Sequence, residues 1–179
     1  KKKKLVEFGN KLLGKRRYLV DHWDSVITKY RETEILPESK TNEISEILQK
    51  INENILKSYG KELKMKIPHI IDLHKDGFID PHIDSIKFSG EIVAGVSLLS
   101  PRIFSLTLDK SFKHLYEGQN APETIQFVAH PRRFYILSHG LRYHYNHAVL
   151  NVNQTDLIDM SEYLIDRRMS IIFRDELVQ

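Results

Sequence analysis

The segment IVAGVSLLSPRIFSLTL, residues 92–108, contains two short apolar runs separated by Ser100-Pro101. Each run has the length and composition of a buried strand, and a Ser-Pro dipeptide favours a turn. Similar runs recur from residue 67 onward, at 67–73, 92–99, 103–108, 124–129, 134–138, 148–152 and 169–173. Short strands at this spacing predict a double-stranded β-helix, or jelly roll, in which two sheets face each other.

Helical spacing of apolar residues is found in the first third of the chain. Residues 20–30 show it, and residues 44–55 show it after Thr41-Asn42, a pair that can cap a helix. We expect both helices to cover the outer face of one sheet. The predicted class is therefore α+β, mainly β, with a helical N-terminal part at 1–66 and a jelly-roll core at 67–179 in one domain.

The composition fits a globular domain. The 179 residues are 41% hydrophobic, which is enough for a sizeable core, and they contain no cysteine for disulfides or thiolate metal sites. No apolar run approaches ~18 residues, so we expect no membrane span, and we expect a monomer. The net charge is +3, but eight cations fall within the first seventeen positions, a cluster that is either solvated or attracts phosphate or anionic lipid.

Three His-x-Asp triplets are candidate metal-binding pairs: His22-Trp23-Asp24, His74-Lys75-Asp76 and His82-Ile83-Asp84. The first lies in the predicted helix, where residues two apart point to nearly opposite sides. The second runs into Asp76-Gly77, which predicts a strand end with solvated polar groups. The third follows Pro81 in a short extended segment, where residues two apart share a face and can converge on one ion. We therefore predict that His82 and Asp84 bind a metal.

A further histidine in Tyr143-His144-Tyr145-Asn146-His147 completes the candidate site. In a strand, His147 shares a face with Tyr143 and Tyr145, whereas His144 points the other way. Spacing alone leaves both histidines open as the third ligand. Two imidazoles and one carboxylate that leave free coordination positions suit non-haem Fe(II). The two tyrosines are predicted to be core or pocket-wall residues, and the alternative is that they face the substrate. The remaining candidates are predicted to lie in loops, namely His114, His130 and His139.

The last apolar run is flanked by Arg168 and Arg174, which are six residues apart and share one face of a strand. Arginine is always charged and binds carboxylates bidentately. An inward-facing pair therefore predicts a pocket for the distant carboxylate of an iron-bound keto acid. The alternative is that both arginines lie on the exposed edge of a terminal strand.

The combination His82-x-Asp84, His147 and Arg168-x5-Arg174 resembles the signature of the AlkB family of Fe(II)/2-oxoglutarate dioxygenases. The similarity is greatest to its mitochondrial branch, that of the seventh AlkB homologue, and it spans residues 17–174. The stretches that carry it are 21–24, 31–34, 81–88, 95–101 and 135–137.

The resemblance implies an oxidoreductase that uses Fe(II), with 2-oxoglutarate and dioxygen as cosubstrates. It assigns the iron ligands to His82, Asp84 and His147, and so selects His147 over His144. It assigns the 2-oxoglutarate pocket to five residues, namely Arg168, Arg174, Tyr135, His69 and Ile71. It further implies a location in the mitochondrial matrix and links to fatty-acid metabolism and to programmed necrosis after alkylation damage.

The substrate class is predicted from the region before the first core strand. Family members that act on bases cover a flipped nucleotide with hairpins built there, using aromatic stacking and cationic contacts. Between residues 31 and 66 the single aromatic is Tyr59, and no hairpin dipeptide such as Asn-Gly occurs. Our first hypothesis is therefore hydroxylation of a protein or small molecule. The second is demethylation of RNA or DNA, bound weakly or through a partner, and the third is a non-enzymatic interaction module.

Overall fold

An antiparallel sheet of nine strands forms the centre of the computed structural model, which describes residues 1–21, 26–155 and 157–177. The strands are β1 (Leu19–Asp21), β2 (Ile27–Glu34), β3 (His69–His82), β4 (Ile92–Leu99), β5 (Arg102–Leu108), β6 (Thr124–Ala129), β7 (Phe134–Ser138), β8 (Tyr145–Leu150) and β9 (Arg168–Arg174). The α-helices within these ranges are α1 (Lys2–Leu13), α2 (Asn42–Tyr59) and α3 (His139–Tyr143), and 3-10 turns lie at Pro37–Ser39, Lys110–Tyr116 and Val152–Gln154. None of these helices is long and apolar enough to cross a membrane.

Strand β3 connects the two halves of the sheet. Its first part, from His69 to Leu73, pairs with β9, whereas its last part pairs with β8 through Ile79 and His82. The strand order β6-β5-β8-β3-β9-β4-β7 therefore curls at β3, and the two halves face each other, with the Phe104 and Tyr135 rings 4.5 Å apart across the interior. This nearly closed arrangement confirms the predicted jelly-roll architecture and its mainly β class.

The two faces of β9 show where the layers meet. Its odd-numbered residues from 169 to 173 pack outward against α1 and α2, in a cluster that includes Leu5 and Ile55. Ile172 instead packs between the two halves of the sheet, with Phe104 and Val149. Because side chains alternate along a strand, the other even-numbered residues of β9 share this interior face with Ile172. Both arginines singled out in the sequence are among them.

Most predicted elements occur where the apolar patterns place them. The predicted strands 92–99, 124–129 and 134–138 coincide with β4, β6 and β7. The helix predicted at 44–55 lies within α2, and the N-cap of α2 is Thr41, whose hydroxyl accepts a hydrogen bond from the Ile44 amide. The C-cap of α2 is Gly60, whose φ of 82° is readily adopted by glycine alone.

The helix predicted at residues 20–30 is wrong. Its described residues belong to β1 and β2, except Val26 between them, while residues 22–25 lie outside the described ranges. The residues of the first His-x-Asp triplet, His22, Trp23 and Asp24, are therefore not placed. Strand β2 pairs with β3 from Ile27 to Glu34. Pairing with the edge of a larger sheet outweighs a helical spacing carried by a few apolar residues. A helix, α1, forms instead at the basic N-terminus.

The Asp76-Gly77 dipeptide does not end a strand, contrary to the prediction. Strand β3 continues to His82, and residues 74–77 bulge opposite the single residue Lys29 of β2. Glycine is needed at position 77 because a Cβ there would lie 2.6 Å from the Lys29 carbonyl oxygen. A bulge bends its strand, and this one lies where β3 leaves β9 and joins β8.

Candidate metal centre and anion pocket

The bend in β3 places three of the predicted site residues together. His82 ends β3 and is the register partner of His147 on β8, and Asp84 follows two residues later. The Nε2 atoms of His82 and His147 lie 3.2 Å and 3.7 Å from Oδ1 of Asp84, and the two imidazole rings are 4.2 Å apart. One donor atom from each residue lies within 4.8 Å of the other two, so this group can hold one metal ion.

The surroundings of the two histidines fix their rings. The Nδ1–H of His82 donates to the Asp80 carbonyl at 2.8 Å, which leaves Nε2 directed at Asp84. Such a second hydrogen bond sets the orientation of an imidazole ligand. The rival His144 lies elsewhere, because its Nδ1 is 2.8 Å from the Tyr116 hydroxyl. The structure thus brings His147, and not His144, to the His82–Asp84 pair.

Electrostatics keep Asp84 and His147 in forms that can bind a metal. Burial opposes ionisation of Asp84, but its hydrogen bond with His82 and the charge of Arg174 outweigh burial and hold the pKa of the carboxyl well below its usual range. Burial and the neighbouring His82 lower the pKa of His147 to about 3, so its imidazole is neutral at physiological pH. Burial opposes protonation of His82 as well, but hydrogen bonds to Asp84 and Asp80 raise its pKa. A carboxylate and a neutral imidazole are the metal-binding forms.

Arg168 is a buried cation in the same interior, with a side chain only 1% exposed. Its guanidinium donates to the hydroxyls of Ser170 and Ser97, each at 3.2 Å. Its Nε–H has no hydrogen-bond partner, and no carboxylate within the described ranges forms an ion pair with it. Burial lowers the pKa of Arg168, yet a guanidinium remains charged in proteins. Burying a charge without a counter-ion is costly, so this pocket fits a carboxylate such as that of 2-oxoglutarate.

Tyr135 forms one wall of this anion pocket. It is the register partner of Gly95 on the adjacent strand, and its ring lies directly over that glycine. Burial raises the pKa of the Tyr135 hydroxyl, and the charge of Arg168 beside it opposes the rise. Gly95 is therefore required for close approach, because a Cβ at this position would overlap the tyrosine ring.

We expect Gly95→Ala to destabilise the protein and to weaken 2-oxoglutarate binding, because the added methyl must displace the Tyr135 ring. Overpacking of this kind typically costs about 1–3 kcal/mol. Urea unfolding measures the loss of stability, and isothermal titration measures the affinity. The matched control introduces Gly95→Ala into a Tyr135→Ala background, in which the clash is absent. Equal effects of Gly95→Ala in both backgrounds would show that the two side chains do not conflict.

The other predicted pocket residues differ in their surroundings. Ile71 lies beside Ser170, within the interior cluster. His69 lies opposite Ile172 and its Nε2 is 3.2 Å from a carboxylate oxygen of Glu34, so it does not reach the Arg168 guanidinium by any described contact. Arg174 lies at the metal end of β9, about 20 Å along the strand from Arg168, with its Nε 2.6 Å from Oδ2 of Asp84. The two arginines thus share a face but have different partners.

Ser97 and Ser170 were not found from the sequence as candidate site residues. A signal for Ser170 was present, because it stands two positions after Arg168 and must share its face in a strand. Ser97 can be identified as a site residue only from the strand register, which pairs it with Ser170 across β4 and β9. The two hydroxyls accept from Nη1 and Nη2 of the Arg168 guanidinium, and its Nε–H has no partner among the described residues.

Comparisons with known proteins agree with this geometry. The chain is 32% identical over 163 residues to the alpha-ketoglutarate-dependent dioxygenase alkB homolog 7, mitochondrial, of Mus musculus, and 33% identical over 162 residues to that of Bos taurus. Each alignment covers 90% of this chain and 67% of the relative. No family model matches the sequence.

Solved structures show the same fold at low sequence identity. A 2OG-Fe(II) oxygenase family oxidoreductase from Burkholderia pseudomallei superposes with a TM-score of 0.60 at 13% identity, covering 96% of this chain and 76% of its own. OsALKBH1 superposes with a TM-score of 0.58 at 12% identity, covering 96% of this chain and 91% of its own. These likenesses extend over nearly the whole chain.

Proposed function

This chain belongs to the AlkB family of Fe(II)- and 2-oxoglutarate-dependent dioxygenases, on the branch of AlkB homolog 7, and from that premise we propose that it hydroxylates a C–H bond of a protein or small-molecule substrate. One observation carries the proposal. A group of two histidines and one aspartate shares the interior of the barrel with a buried arginine that forms no ion pair with any described carboxylate. This is the combination that an iron and a dicarboxylic cosubstrate need.

In this proposal His82, Asp84 and His147 hold Fe(II). The metal, 2-oxoglutarate and dioxygen together supply the oxidising chemistry that inserts an oxygen atom into a C–H bond. The protein holds the groups in place: the Asp80 carbonyl fixes the His82 ring, and Arg174 fixes the second carboxylate oxygen of Asp84. An Asp84 held ionised in this way contributes negative charge to the metal site.

Arg168 is proposed to bind the far carboxylate of 2-oxoglutarate, with Ser97 and Ser170 directing the guanidinium. Tyr135 and Ile71 exclude water from this end, which strengthens the ion pair by lowering the local dielectric. Two further residues are proposed at the metal end, Arg174 beside the bound cosubstrate and His69 at the margin of the pocket.

We also propose that residues 1–179 act as one domain and as a monomer. The pairing of β2 with β3 supports a single unit, because it ties the N-terminal part to the core. The relatives are named mitochondrial, and a location in the mitochondrial matrix is the corresponding proposal for this chain. Links to fatty-acid metabolism and to programmed necrosis after alkylation damage are proposals that rest on the family branch alone.

Uncoupled turnover tests the enzymatic part of the proposal. We expect purified protein with Fe(II) and oxygen to convert 2-oxoglutarate slowly to succinate without added substrate, and incubation with a mitochondrial peptide mixture to raise that rate and add one oxygen to specific peptides. Succinate measured by mass spectrometry and a matched Asp84→Ala variant provide the readout and the control. Succinate formation at equal rates with and without Asp84 would favour the non-enzymatic interaction module.

The region before β3 favours a substrate other than a nucleobase. Between residues 35 and 68 the structure has a 3-10 turn and α2 but no strand, and the hydroxyl of the aromatic residue in this range, Tyr59, donates to Glu91.

One feature favours the alternative, oxidative demethylation of RNA or DNA. The β1–β2 pair precedes the core, where base-modifying members build their lids, and it exposes Leu19 and Val20.

An oligonucleotide titration separates these substrate classes. If nucleic acid is not the substrate, we expect weak binding that is independent of methylation and that comes from the cations of α1. Replacing Lys1–Lys4 with glutamine should then reduce the slope of log affinity against log salt by up to roughly 3, since each phosphate contact on single strands contributes ~0.7. Uncoupled 2-oxoglutarate turnover should not change, because none of these lysines contacts the metal or anion sites.

Demethylation of a nucleic acid would have a different and direct readout. Release of formaldehyde from a methylated oligonucleotide, stoichiometric with succinate and lost in His147→Ala, would establish demethylation instead of hydroxylation of a protein or small molecule.

A further inference from the structure

A buried arginine holds both ends of the loop that carries Asp84. This loop, residues 84–89, leaves β3 and returns toward β4. From α3, Nη1 of Arg142 donates to the Asp84 carbonyl at 2.8 Å, and Nη2 donates to the Ser89 carbonyl at 3.2 Å. The same planar group therefore contacts the first and the last residue of the loop.

The outer side of the loop offers little packing. Residues 85–88 are exposed, with Ile86 and Phe88 59% and 68% exposed, whereas Ser89 is buried. Within the loop, the amides of Phe88 and Ser89 donate to the Ser85 carbonyl, and Lys66 binds the Phe88 carbonyl. From the interior, Arg142 binds the backbone carbonyl of Asp84, whereas Arg174 binds its carboxylate.

The carboxylates of Asp84 and Asp175 act on the charge of Arg142 from a distance. Its side chain is 1% exposed, its Nε–H has no hydrogen-bond partner, and it forms no ion pair with a carboxylate of the described residues. The Tyr143 ring lies 5.2 Å from its guanidinium carbon. Arginine is seldom buried without a paired anion, and the hydrogen bonds to the two loop carbonyls are the direct polar contacts of this guanidinium among the described residues.

We propose that Arg142 is a positioning residue that holds the Asp84 backbone so that the carboxylate meets His82 and His147 at the metal. The proposal rests on the ligand set of the proposed function. A carboxylate two bonds from its backbone can move with a loop, whereas the histidines are fixed in β3 and β8. Metal sites tolerate displacements of only about 0.5 Å, so an anchored carbonyl at Asp84, together with the Arg174 contact to its carboxylate, restricts the one ligand that lies in a loop.

Arg102 provides a matched control for the effects of burial. It is also fully buried, its Nε–H also lacks a partner, and its guanidinium donates mainly to carbonyls, including those of Lys75 and Asp166. None of its hydrogen bonds involves the 84–89 loop. Replacing either arginine removes a buried charge and several hydrogen bonds, but Arg142 alone is joined to a proposed ligand.

The test compares Arg142→Met, Arg142→Lys and Arg102→Met by thermal unfolding without metal and by anaerobic Co(II) titration. We expect both methionine variants to lower the melting temperature, but Arg142→Met alone to weaken Co(II) binding, by roughly 10- to 100-fold as for other groups that orient ligands. Arg142→Lys should restore part of the affinity. If Arg142→Met does not fold, the comparison of Arg142→Lys with Arg102→Lys decides, and unchanged Co(II) affinity in Arg142→Lys would then overturn the proposal.

Two further outcomes are distinguishable. Unchanged Co(II) affinity in a folded Arg142→Met, or an equal loss in Arg102→Met, would reduce Arg142 to a structural role. A His82→Ala variant that binds Co(II) as tightly as the unsubstituted protein would instead show that the ligand set of the proposed function is wrong.

Discussion

His82→Ala is expected to lose the visible charge-transfer band that the unsubstituted protein should develop when Fe(II) and 2-oxoglutarate are combined without oxygen. The band requires both ligands in one complex, and His82 supplies one of the three protein donor atoms that lie within 4.8 Å of one another. Asp84→Ala should have at least the same effect. It also removes the partner of Arg174 and leaves that cation beside the empty ligand position. Absorbance spectra recorded during anaerobic titration measure the loss.

The chain contains a matched control in the same strand. His74 and Asp76 are also a His-x-Asp triplet on β3, but they lie in the bulge, half-exposed and 3.3 Å from each other. Alanine at either position should leave the band intact, and so should His144→Ala, because that ring is bound to Tyr116. A band that survives in His82→Ala and disappears in His144→Ala would reassign the metal site.

The sequence predicted the structure correctly where a single local cause determines it. The strands of the core are short apolar runs between turn residues, and burial between two layers leaves few other conformations for such runs. The alternation along β9 is equally local, so the common face of Arg168 and Arg174 followed from a spacing of six. His82 and Asp84 were selected for the same reason, because an extended segment turns residues two apart to one side.

The features that the sequence did not predict depend on partners distant in the chain. Strand β2 is polar and partly exposed, and it is a strand because β3 supplies the pairing edge. The bulge at Gly77 depends on the approach of Lys29. The different tasks of the two arginines could not be read from their spacing, since Arg174 has its carboxylate partner in a loop ninety residues earlier.

Arg168→Ala is expected to weaken 2-oxoglutarate binding by roughly 30- to several-thousand-fold, with much less effect on the affinity for Fe(II). The substitution would leave the far carboxylate buried near Ser97 and Ser170 without a cation, and loss of one partner from a buried, hydrogen-bonded charge pair costs ~2–5 kcal/mol. Arg168→Lys should fall between, because an ammonium keeps the charge but loses the fork geometry. Anaerobic titration of the Fe(II) protein with 2-oxoglutarate gives the dissociation constants.

The neighbouring Arg167 is the matched control for Arg168. It lies next to Arg168 in sequence, but its Nε is 3.5 Å from Asp72, a buried residue whose carboxylate also binds Arg31. Arg167→Ala should therefore reduce stability and leave 2-oxoglutarate affinity unchanged. Arg174→Ala should weaken the metal and the cosubstrate together, because its partner is Asp84. If Arg168→Ala binds 2-oxoglutarate as tightly as Arg167→Ala does, the buried guanidinium is not the carboxylate site, and the cosubstrate must be held from the Arg174 end alone.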